Sequence, residues 1–185
     1  MKVELRKQLK ALLADLTIEE RAKKNLKLNQ HLIEFLHKNN ISHKTNIGVF
    51  YPLDDEPNCL MAFNEFEALL SWPVFDDAGE MYFATCDVNA LVEKKAFGKS
   101  FKIPPLDAKS VTPALILVPG LGFSRDGERL GRGKGYYDRY LSQFNGLKIG
   151  ICFEEMLLKK IPSESHDVKV DFVVSDQGIL KTTSN

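Results

Sequence analysis

The chain has 185 residues, with 25 Lys and Arg balanced by 25 Asp and Glu, so its formal net charge at pH 7 is zero. A balanced charge argues against a protein that binds nucleic acid or acidic membranes through its whole surface. Three widely spaced cysteines disfavour a disulfide framework or a zinc site, and no apolar run has the length of a membrane span. We therefore predict one globular domain over residues 1–185, located in the cytoplasm.

Two amphipathic helices are predicted at the N-terminus. Leucines recur at helical spacing from Leu5 to Leu16, which predicts the first helix. Thr17 and Glu20 have the spacing of a capping box, so the second helix is expected to begin there. Its apolar pattern ends near Asn39.

Apolar runs further along the chain predict the strands of a sheet. A β-hairpin is predicted around the turn at residues 76–79. The apolar residues between positions 58 and 70 have a spacing compatible with a helix. Residues 91–99 are charged and give no clear prediction of secondary structure. The buried strands are expected at residues 47–51, 114–118, 148–153 and 170–174.

This order of elements indicates an α/β fold. We predict a single open, mostly parallel sheet flanked by helices, with an inserted β-hairpin and two N-terminal helices. Open α/β sheets bind ligands at the carboxyl ends of their strands, so a cleft is expected near Tyr51 and Val118. Asp54, Asp55 and Glu56 follow the first strand. A solvated acidic turn is the simplest interpretation of these carboxylates.

Residues 118–141 combine glycines with Arg125, Arg129, Arg132 and Lys134. Glycine allows backbone N–H groups to approach an anion, and arginine offers a fork that matches phosphate oxygens. A helical pattern begins after Gly135, and a helix N-terminus also favours phosphate. The stretch lacks the hydroxyl residue of a P-loop and the spacing of a dinucleotide fingerprint. A solvated turn is the alternative, but the interleaved cations favour an anion site.

A resemblance to a known family rests on this stretch. The string Pro-Gly-Leu-Gly-Phe at 119–123, then Gly127, then Arg-Leu-Gly-Arg-Gly-Lys-Gly-Tyr-Tyr-Asp at 129–138 resembles the signature of the 5-formyltetrahydrofolate cyclo-ligase (5,10-methenyltetrahydrofolate synthetase) family. The resemblance implies a ligase that forms a C–N bond, closing 5-formyltetrahydrofolate to 5,10-methenyltetrahydrofolate with ATP and Mg²⁺ and releasing ADP and phosphate. It implies a small-molecule substrate, with no nucleic acid or membrane partner, and we expect a monomer.

The resemblance also implies roles for particular residues. Arg132 and Lys134 would be catalytic, and Asp138 would hold Mg²⁺. The folate would be bound by Tyr51, Glu56, Phe101 and Tyr136. ATP would be bound by Lys2, Arg6, Arg129, Leu130, Gly131, Arg132, Gly133, Lys134, Gly135, Tyr136 and Tyr137.

One segment departs from the family pattern, and several alternatives stay open. The family usually has Ile-Pro-Glu/Gln-Pro where this chain has Ile-Pro-Pro-Leu at 103–106, which puts a polar contact from the missing side chain in doubt. Instead of holding Mg²⁺, Asp138 could cap the helix or form an ion pair. His166 is a lone histidine in a polar loop, where a structural role is commoner than a catalytic one. A kinase or another ATP-dependent ligase would use the same anion site. A non-catalytic nucleotide- or RNA-binding module would use the basic loop alone.

Overall fold

Three α-helices and thirteen strands are found in residues 1–76, 79–96, 98–164 and 167–183, which are the residues that the computed structural model describes. The helices are α1 (Lys2–Asp15), α2 (Ile18–Lys38) and α3 (Tyr136–Gln143). The strands are β1 (Asn46–Gly48), β2 (Leu69–Phe75), β3 (Met81–Thr85), β4 (Val92–Ala96), β5 (Lys99–Ile103), β6 (Lys109–Val111), β7 (Leu115–Pro119), β8 (Gly122–Ser124), β9 (Arg129–Leu130), β10 (Leu147–Ile151), β11 (Leu157–Leu158), β12 (Phe172–Ser175) and β13 (Gly178–Lys181).

Eight strands form the main sheet, in the order β13-β12-β10-β7-β1-β2-β3-β6. The five central strands, from β12 to β2, pair in parallel, and the outer strands pair antiparallel. The prediction of an α/β fold built on an open, mostly parallel sheet is confirmed. Two small sheets, β11-β8-β9 and β4-β5, accompany the main sheet. The predicted hairpin is β2–β3, and its first strand is also the parallel neighbour of β1.

The N-terminal helices begin and end close to where the sequence predicts. The Thr17 hydroxyl accepts a hydrogen bond from the Glu20 N–H at 3.2 Å, and the Glu20 carboxylate accepts one from the Thr17 N–H at 2.9 Å. This capping box satisfies amide groups that the first turn of α2 leaves without helical partners. The leucines on one face of α2, Leu28, Leu32 and Leu36, are fully buried in the core against the sheet.

Residues 58–70 form less helix than their spacing predicts. Only a 3₁₀ turn, Leu60–Asn64, is present, and residues 69 and 70 already belong to β2. The Asn29 side chain of α2 accepts a hydrogen bond from the Ala62 N–H at 2.7 Å and donates one to the Asn58 carbonyl at 2.7 Å. The segment is therefore held by long-range hydrogen bonds to α2, and apolar spacing alone does not reveal such bonds.

Strands β4 and β5 form a hairpin that the sequence does not predict. They pair antiparallel over residues 92–103, with position 97 outside the described residues. One face of the hairpin is exposed and the other is partly buried, but Lys94 takes a partly buried position, which interrupts the apolar alternation that marks a half-buried strand. We call this hairpin the β4–β5 arm. No helix in the described part of the chain has both the length and the apolar character needed to cross a membrane.

Candidate active site

A cleft of about 640 Å³ opens at the carboxyl ends of β1, β2 and β7. Tyr51 follows β1, Phe75 ends β2, and Pro119 ends β7, so each of these strands places a residue on the cleft wall. The cleft therefore lies where the parallel sheet topology predicts it. The β4–β5 arm also lines the cleft, through residues that include Lys99 and Phe101.

The glycine-rich stretch divides into a hairpin and a short loop. Strands β8 and β9 pair antiparallel around a turn at residues 125–128, where Gly127 has a φ of +87°. A Cβ at Gly127 would lie 2.5 Å from the Val170 carbonyl oxygen, so the turn requires glycine. Arg125 is exposed in that turn and its Nη2 lies 3.8 Å from Glu154. Residues 131–135, which we call the Gly-Arg-Lys loop, follow β9, and residues 132–135 line the cleft.

Arg129 is a buried cation on strand β9. Its Nη1 donates to the Pro119 carbonyl at 3.0 Å and its Nη2 donates to Asp138 Oδ1 at 2.7 Å. Its guanidinium also lies 5.5 Å from the centre of the Tyr137 ring. Its Nε–H has no hydrogen-bond partner among the described residues, although the atom is buried. A buried donor without a partner in the protein is a group whose hydrogen bonding water or a polar ligand can complete.

Arg132 is held by carboxylates of the turn that follows β1. Its Nη1 and Nη2 donate to the two oxygens of Asp55 at 2.9 and 2.8 Å, and its Nε donates to Glu56 Oε1 at 2.9 Å. Burial opposes the charged form of Asp55, but the hydrogen bonds and charge of Arg132 hold the pKa of Asp55 below its ordinary value. Burial likewise opposes the charge of Arg132, yet the same carboxylates raise the pKa of Arg132.

The Gly-Arg-Lys loop ends at the N-terminus of α3. Gly133 and Gly135 have φ values of +93° and +74°, a left-handed region that favours glycine. Gly135 is the N-cap of α3 and has no side chain to accept the first amide groups of the helix. These N–H groups are therefore directed toward any anion at the helix end. Lys134 is exposed and lines the cleft between the two glycines.

Leu130 and Gly131 support this loop from behind. Leu130 is buried, and its carbonyl accepts from the Leu121 N–H at 2.8 Å. A Cβ at Gly131 would lie 2.8 Å from the Arg129 guanidinium, so a larger residue would displace that side chain. These two residues therefore fix the loop, whereas their neighbours face the cleft.

Helix α1 brings Arg6, and not Lys2, into contact with the loop. Arg6 Nε donates to the Gly131 carbonyl at 2.9 Å. Lys2 instead pairs with Asp167 at 2.7 Å and with Glu164 at 3.4 Å, and it is not among the residues that line the cleft. Lys10, one turn beyond Arg6, does line the cleft. The i, i+4 spacing from Arg6 was a signal in the sequence that could have identified Lys10.

Aromatic rings form the apolar part of the cleft. Phe75 packs edge-on against Tyr136 at 4.9 Å and against Phe101 at 6.3 Å between ring centres. The Lys102 ammonium lies 4.6 Å from the centre of the Tyr51 ring. Tyr51, Phe101 and Tyr136 therefore line the same cleft as Glu56. The sequence alone does not identify Phe75 as a cleft residue, because an aromatic residue at the end of a strand is equally typical of the core.

Tyr137 and Asp138 lie in the first turn of α3, beside Arg129. The Tyr137 hydroxyl is buried without a hydrogen-bond partner among the described residues. Burial raises the pKa of Tyr137, so this hydroxyl stays protonated and can donate. Asp138 Oδ1 accepts from Arg129, and Oδ2 accepts no hydrogen bond from the described residues. Asp138 can therefore pair with Arg129 and still offer an oxygen to a ligand.

The donor set at Asp138 fits a magnesium ion that arrives with a nucleotide. No group of three His, Cys, Asp or Glu side chains able to hold a metal occurs in the described residues. Mg²⁺ typically takes one or two carboxylates and completes its coordination with phosphate oxygens and water. Asp138 is a single half-buried carboxylate three residues after the Gly-Arg-Lys loop, and its Oδ2 suits such an ion, although Asp138 is not among the residues that line the cleft. His166 lies outside the described residues.

Comparisons with known proteins agree with the signature. A sequence model of the 5-formyltetrahydrofolate cyclo-ligase family matches residues 1–176. The chain is 29% identical to the mouse 5-formyltetrahydrofolate cyclo-ligase, with 92% of this chain and 91% of the mouse protein covered. It is also 29% identical to the Mycoplasma pneumoniae protein of the same name, over 94% of this chain and 97% of that protein.

Solved structures give the same result for the fold. The solution structure of an Aquifex aeolicus 5,10-methenyltetrahydrofolate synthetase matches with a TM-score of 0.80 at 27% identity, covering 100% of this chain and 94% of that one. A Mycoplasma pneumoniae 5,10-methenyltetrahydrofolate synthetase matches with a TM-score of 0.76 at 24% identity, covering 95% of this chain and 98% of that one. The predicted family, fold and ligase class are confirmed. The chain belongs to the 5-formyltetrahydrofolate cyclo-ligase family.

Proposed function

We propose that this chain closes 5-formyltetrahydrofolate to 5,10-methenyltetrahydrofolate by using ATP and Mg²⁺, with ADP and phosphate as the other products. Membership of the family gives the cyclo-ligase activity on a folate. The use of a nucleotide, the order of the chemical steps and the roles of single residues are our proposal. One observation carries it: a single cleft joins a basic, glycine-rich helix N-terminus to an aromatic chamber that contains a carboxylate.

The phosphate end of the cleft has the groups that a triphosphate requires. Arg132, Lys134 and the N-terminus of α3 line it together, and Arg6 holds the loop from the other side. The unpaired Arg129 Nε–H and Tyr137 hydroxyl supply two further donors. Cations and oriented amide groups stabilise charge on a transferring phosphoryl group. We assign nucleotide binding to this end.

The aromatic end of the cleft suits a flat, polar ring system. Tyr51, Phe101 and Tyr136 offer apolar surfaces, and Glu56 offers carboxylate oxygens that can accept hydrogen bonds from ring N–H groups. Glu56 is 8% exposed, so its hydrogen bonds form in a poorly hydrated environment. We assign the pterin of the folate to this end. Its formyl group would then point toward the phosphates.

The order of bond changes follows from leaving-group chemistry. The oxygen of a formyl amide is a poor leaving group, so direct attack by N10 on the formyl carbon is slow. Transfer of the γ-phosphoryl group breaks its bond to ADP and forms a bond to the formyl oxygen. N10 then bonds to the formyl carbon and loses its proton, and the C–O bond breaks as phosphate departs. This sequence requires positioning and charge stabilisation but no protein nucleophile.

Asp138 is the residue that would hold Mg²⁺. The ion would neutralise charge on the phosphate oxygens. Arg129 keeps the Asp138 carboxylate in place through its hydrogen bond to Oδ1. Arg132 and Lys134 would contact the phosphoryl oxygens directly, which makes them the catalytic residues of the proposal.

The deciding experiment is a spectrophotometric assay. Purified protein, 5-formyltetrahydrofolate and MgATP are mixed, and the near-ultraviolet band of the methenyl product is followed. We expect the band to grow only when the nucleotide and Mg²⁺ are both present. Equal growth without nucleotide, or no growth with all components, would contradict the proposal.

Substitutions at the phosphate end test the assigned roles. Arg132→Ala and Lys134→Ala should each lower kcat about 10²- to 10³-fold, because each removes a cation that stabilises the transferring group. Lys27→Ala, an exposed position on α2, is the control and should keep the turnover of the unchanged protein. Near-normal kcat in both cleft variants would count against their catalytic roles.

A further inference from the structure

Asp55 makes contacts that neither its sequence context nor the proposed chemistry explains. It follows β1 in a turn of three carboxylates, next to an exposed Asp54 and the buried Glu56. Both of its oxygens accept hydrogen bonds from the outer nitrogens of Arg132, at 2.8 and 2.9 Å. This two-bond fork is the strongest common geometry between arginine and a carboxylate. A solvated acidic turn would not show it.

The fork determines the orientation of the Arg132 guanidinium. Without Asp55, the Arg132 guanidinium would donate only one hydrogen bond to the described residues, from its Nε to Glu56. A single bond near the stem leaves the outer nitrogens free to change position. With both carboxylates present, three of the five N–H groups are bonded, and two remain for a ligand. The Arg132 side chain is 21% exposed and lines the cleft, so its guanidinium can still meet a ligand there.

Asp55 also connects Arg132 to the β4–β5 arm. Lys99, the first residue of β5, has its Nζ 3.4 Å from Asp55 Oδ1. The arm has no backbone pairing with the main sheet among the described residues, so side-chain contacts hold it over the cleft. One carboxylate therefore contacts both the arm that carries Phe101 and the arginine of the Gly-Arg-Lys loop.

We propose that Asp55 is a positioning residue, which sets the Arg132 guanidinium for phosphoryl transfer and, through Lys99, links that orientation to the docked β4–β5 arm. This inference rests on the proposed function. Asp55 supplies geometry and not attraction, because its negative charge repels a triphosphate. Its loss should therefore affect the rate of the chemical step more than nucleotide binding.

The test compares Asp55→Asn with Asp54→Asn, which removes a neighbouring exposed carboxylate. We expect Asp55→Asn to lower kcat about 10- to 100-fold, since a misplaced catalytic group costs about that much, while KM for ATP stays the same or falls. Asp54→Asn should leave both values unchanged. A kcat for Asp55→Asn within twofold of the unchanged protein would overturn the proposal, and so would a large rise in KM for ATP at constant kcat.

A second measurement does not depend on activity. The rate at which phenylglyoxal modifies Arg132, followed by peptide mass spectrometry on the folded protein, reports whether its outer nitrogens are held. We expect the rate to rise several-fold in Asp55→Asn and to stay constant in Asp54→Asn. An unchanged rate, even with reduced turnover, would overturn the positioning role. If the unchanged protein makes no methenyl product, the proposed function fails, while this modification rate still tests the contact itself.

Discussion

At the scale of single residues, Tyr137 carries a hydroxyl whose hydrogen bonding the described residues do not satisfy. Its hydroxyl is buried, protonated and without a partner among the described residues. A buried donor without an acceptor costs stability, and it is retained where a ligand or water completes it. Arg129 Nε is in the same situation on the neighbouring strand.

We expect Tyr137→Phe to keep or raise the melting temperature, because the substitution removes no hydrogen bond to the described residues. The Kd for MgADP should rise about tenfold, the cost of one lost hydrogen bond to a charged group. Thermal unfolding and calorimetric titration measure the two effects. Tyr140→Phe is the matched control on the same helix, since Tyr140 packs against Phe83 outside the cleft. A lower melting temperature with unchanged Kd would show that the hydroxyl serves the fold.

Sequence alone identifies the residue types of this site better than their orientation. The string at 129–138 marks the cations, and the cleft does contain Arg129, Arg132 and Lys134. The sequence does not show that Arg132 is held by Asp55, because an acidic turn has the same composition whether or not an arginine meets it. It also does not separate Arg6, which reaches the loop, from Lys2, which pairs with Asp167.

At the scale of elements, an ion pair joins α2 to the end of β12. Asp176 follows β12, its side chain is 1% exposed, and its carboxylate accepts from Lys24 at 3.0 Å and from the Glu154 N–H at 2.8 Å. Burial opposes its charged form, but these hydrogen bonds hold the pKa of Asp176 below its ordinary value. The carboxylate therefore stabilises the fold above its unfolded-state pKa. That contribution is lost as the pH falls through the lower folded-state pKa.

Asp176→Asn should therefore lower the free energy of unfolding by about 1–2 kcal/mol at pH 7. The difference should shrink below about pH 4, because Asp176 of the unfolded chain then binds a proton that folding must release, and the stabilisation falls until the folded carboxylate is protonated as well. Urea unfolding at pH 7 and at pH 3.5 measures it. Asp15→Asn, at the exposed end of α1, is the control and should have little effect at either pH. A difference that is the same at both pH values would contradict the assignment.

The sequence predicts the elements that have a local signal, such as a capping box or a continuous apolar run. The capping box at Thr17 locates the start of α2, and continuous apolar runs locate the buried strands β7 and β10. Residues 58–70 form less helix than their spacing predicts, and the β4–β5 arm was not predicted. Asn29 determines the first by hydrogen bonds to residues 58 and 62, and in the second a lysine, Lys94, takes one of the partly buried positions. Local patterning contains neither kind of information.

At the scale of the whole molecule, a bound ligand should stabilise the fold. The shift in melting temperature should therefore show whether the protein binds a nucleotide or a nucleic acid. A ligand at 100 times its Kd adds about 2.7 kcal/mol to the free energy of unfolding, which corresponds to about 5–10 °C in melting temperature for a chain of this size. We expect MgATP to produce such a shift. Adenosine, which lacks phosphates, is the control and should produce little.

Single-stranded RNA tests the alternative of a nucleic-acid-binding module in the same assay. The balanced formal charge of the chain predicts no shift with RNA at physiological salt. A shift with RNA that disappears steeply as salt rises, together with none for MgATP, would favour that alternative.

The separateness of the β4–β5 arm has a consequence for how such a protein can diversify. The arm forms its own ladder and meets the rest of the protein through contacts such as Lys94 to the Phe75 carbonyl and Lys99 to Asp55. Exchanging its sequence would therefore leave the strand pairing of the eight-stranded sheet intact, as far as the described residues show. We expect the arm to be a module that can be grafted between homologues, so that substrate range can evolve at little expense in folding.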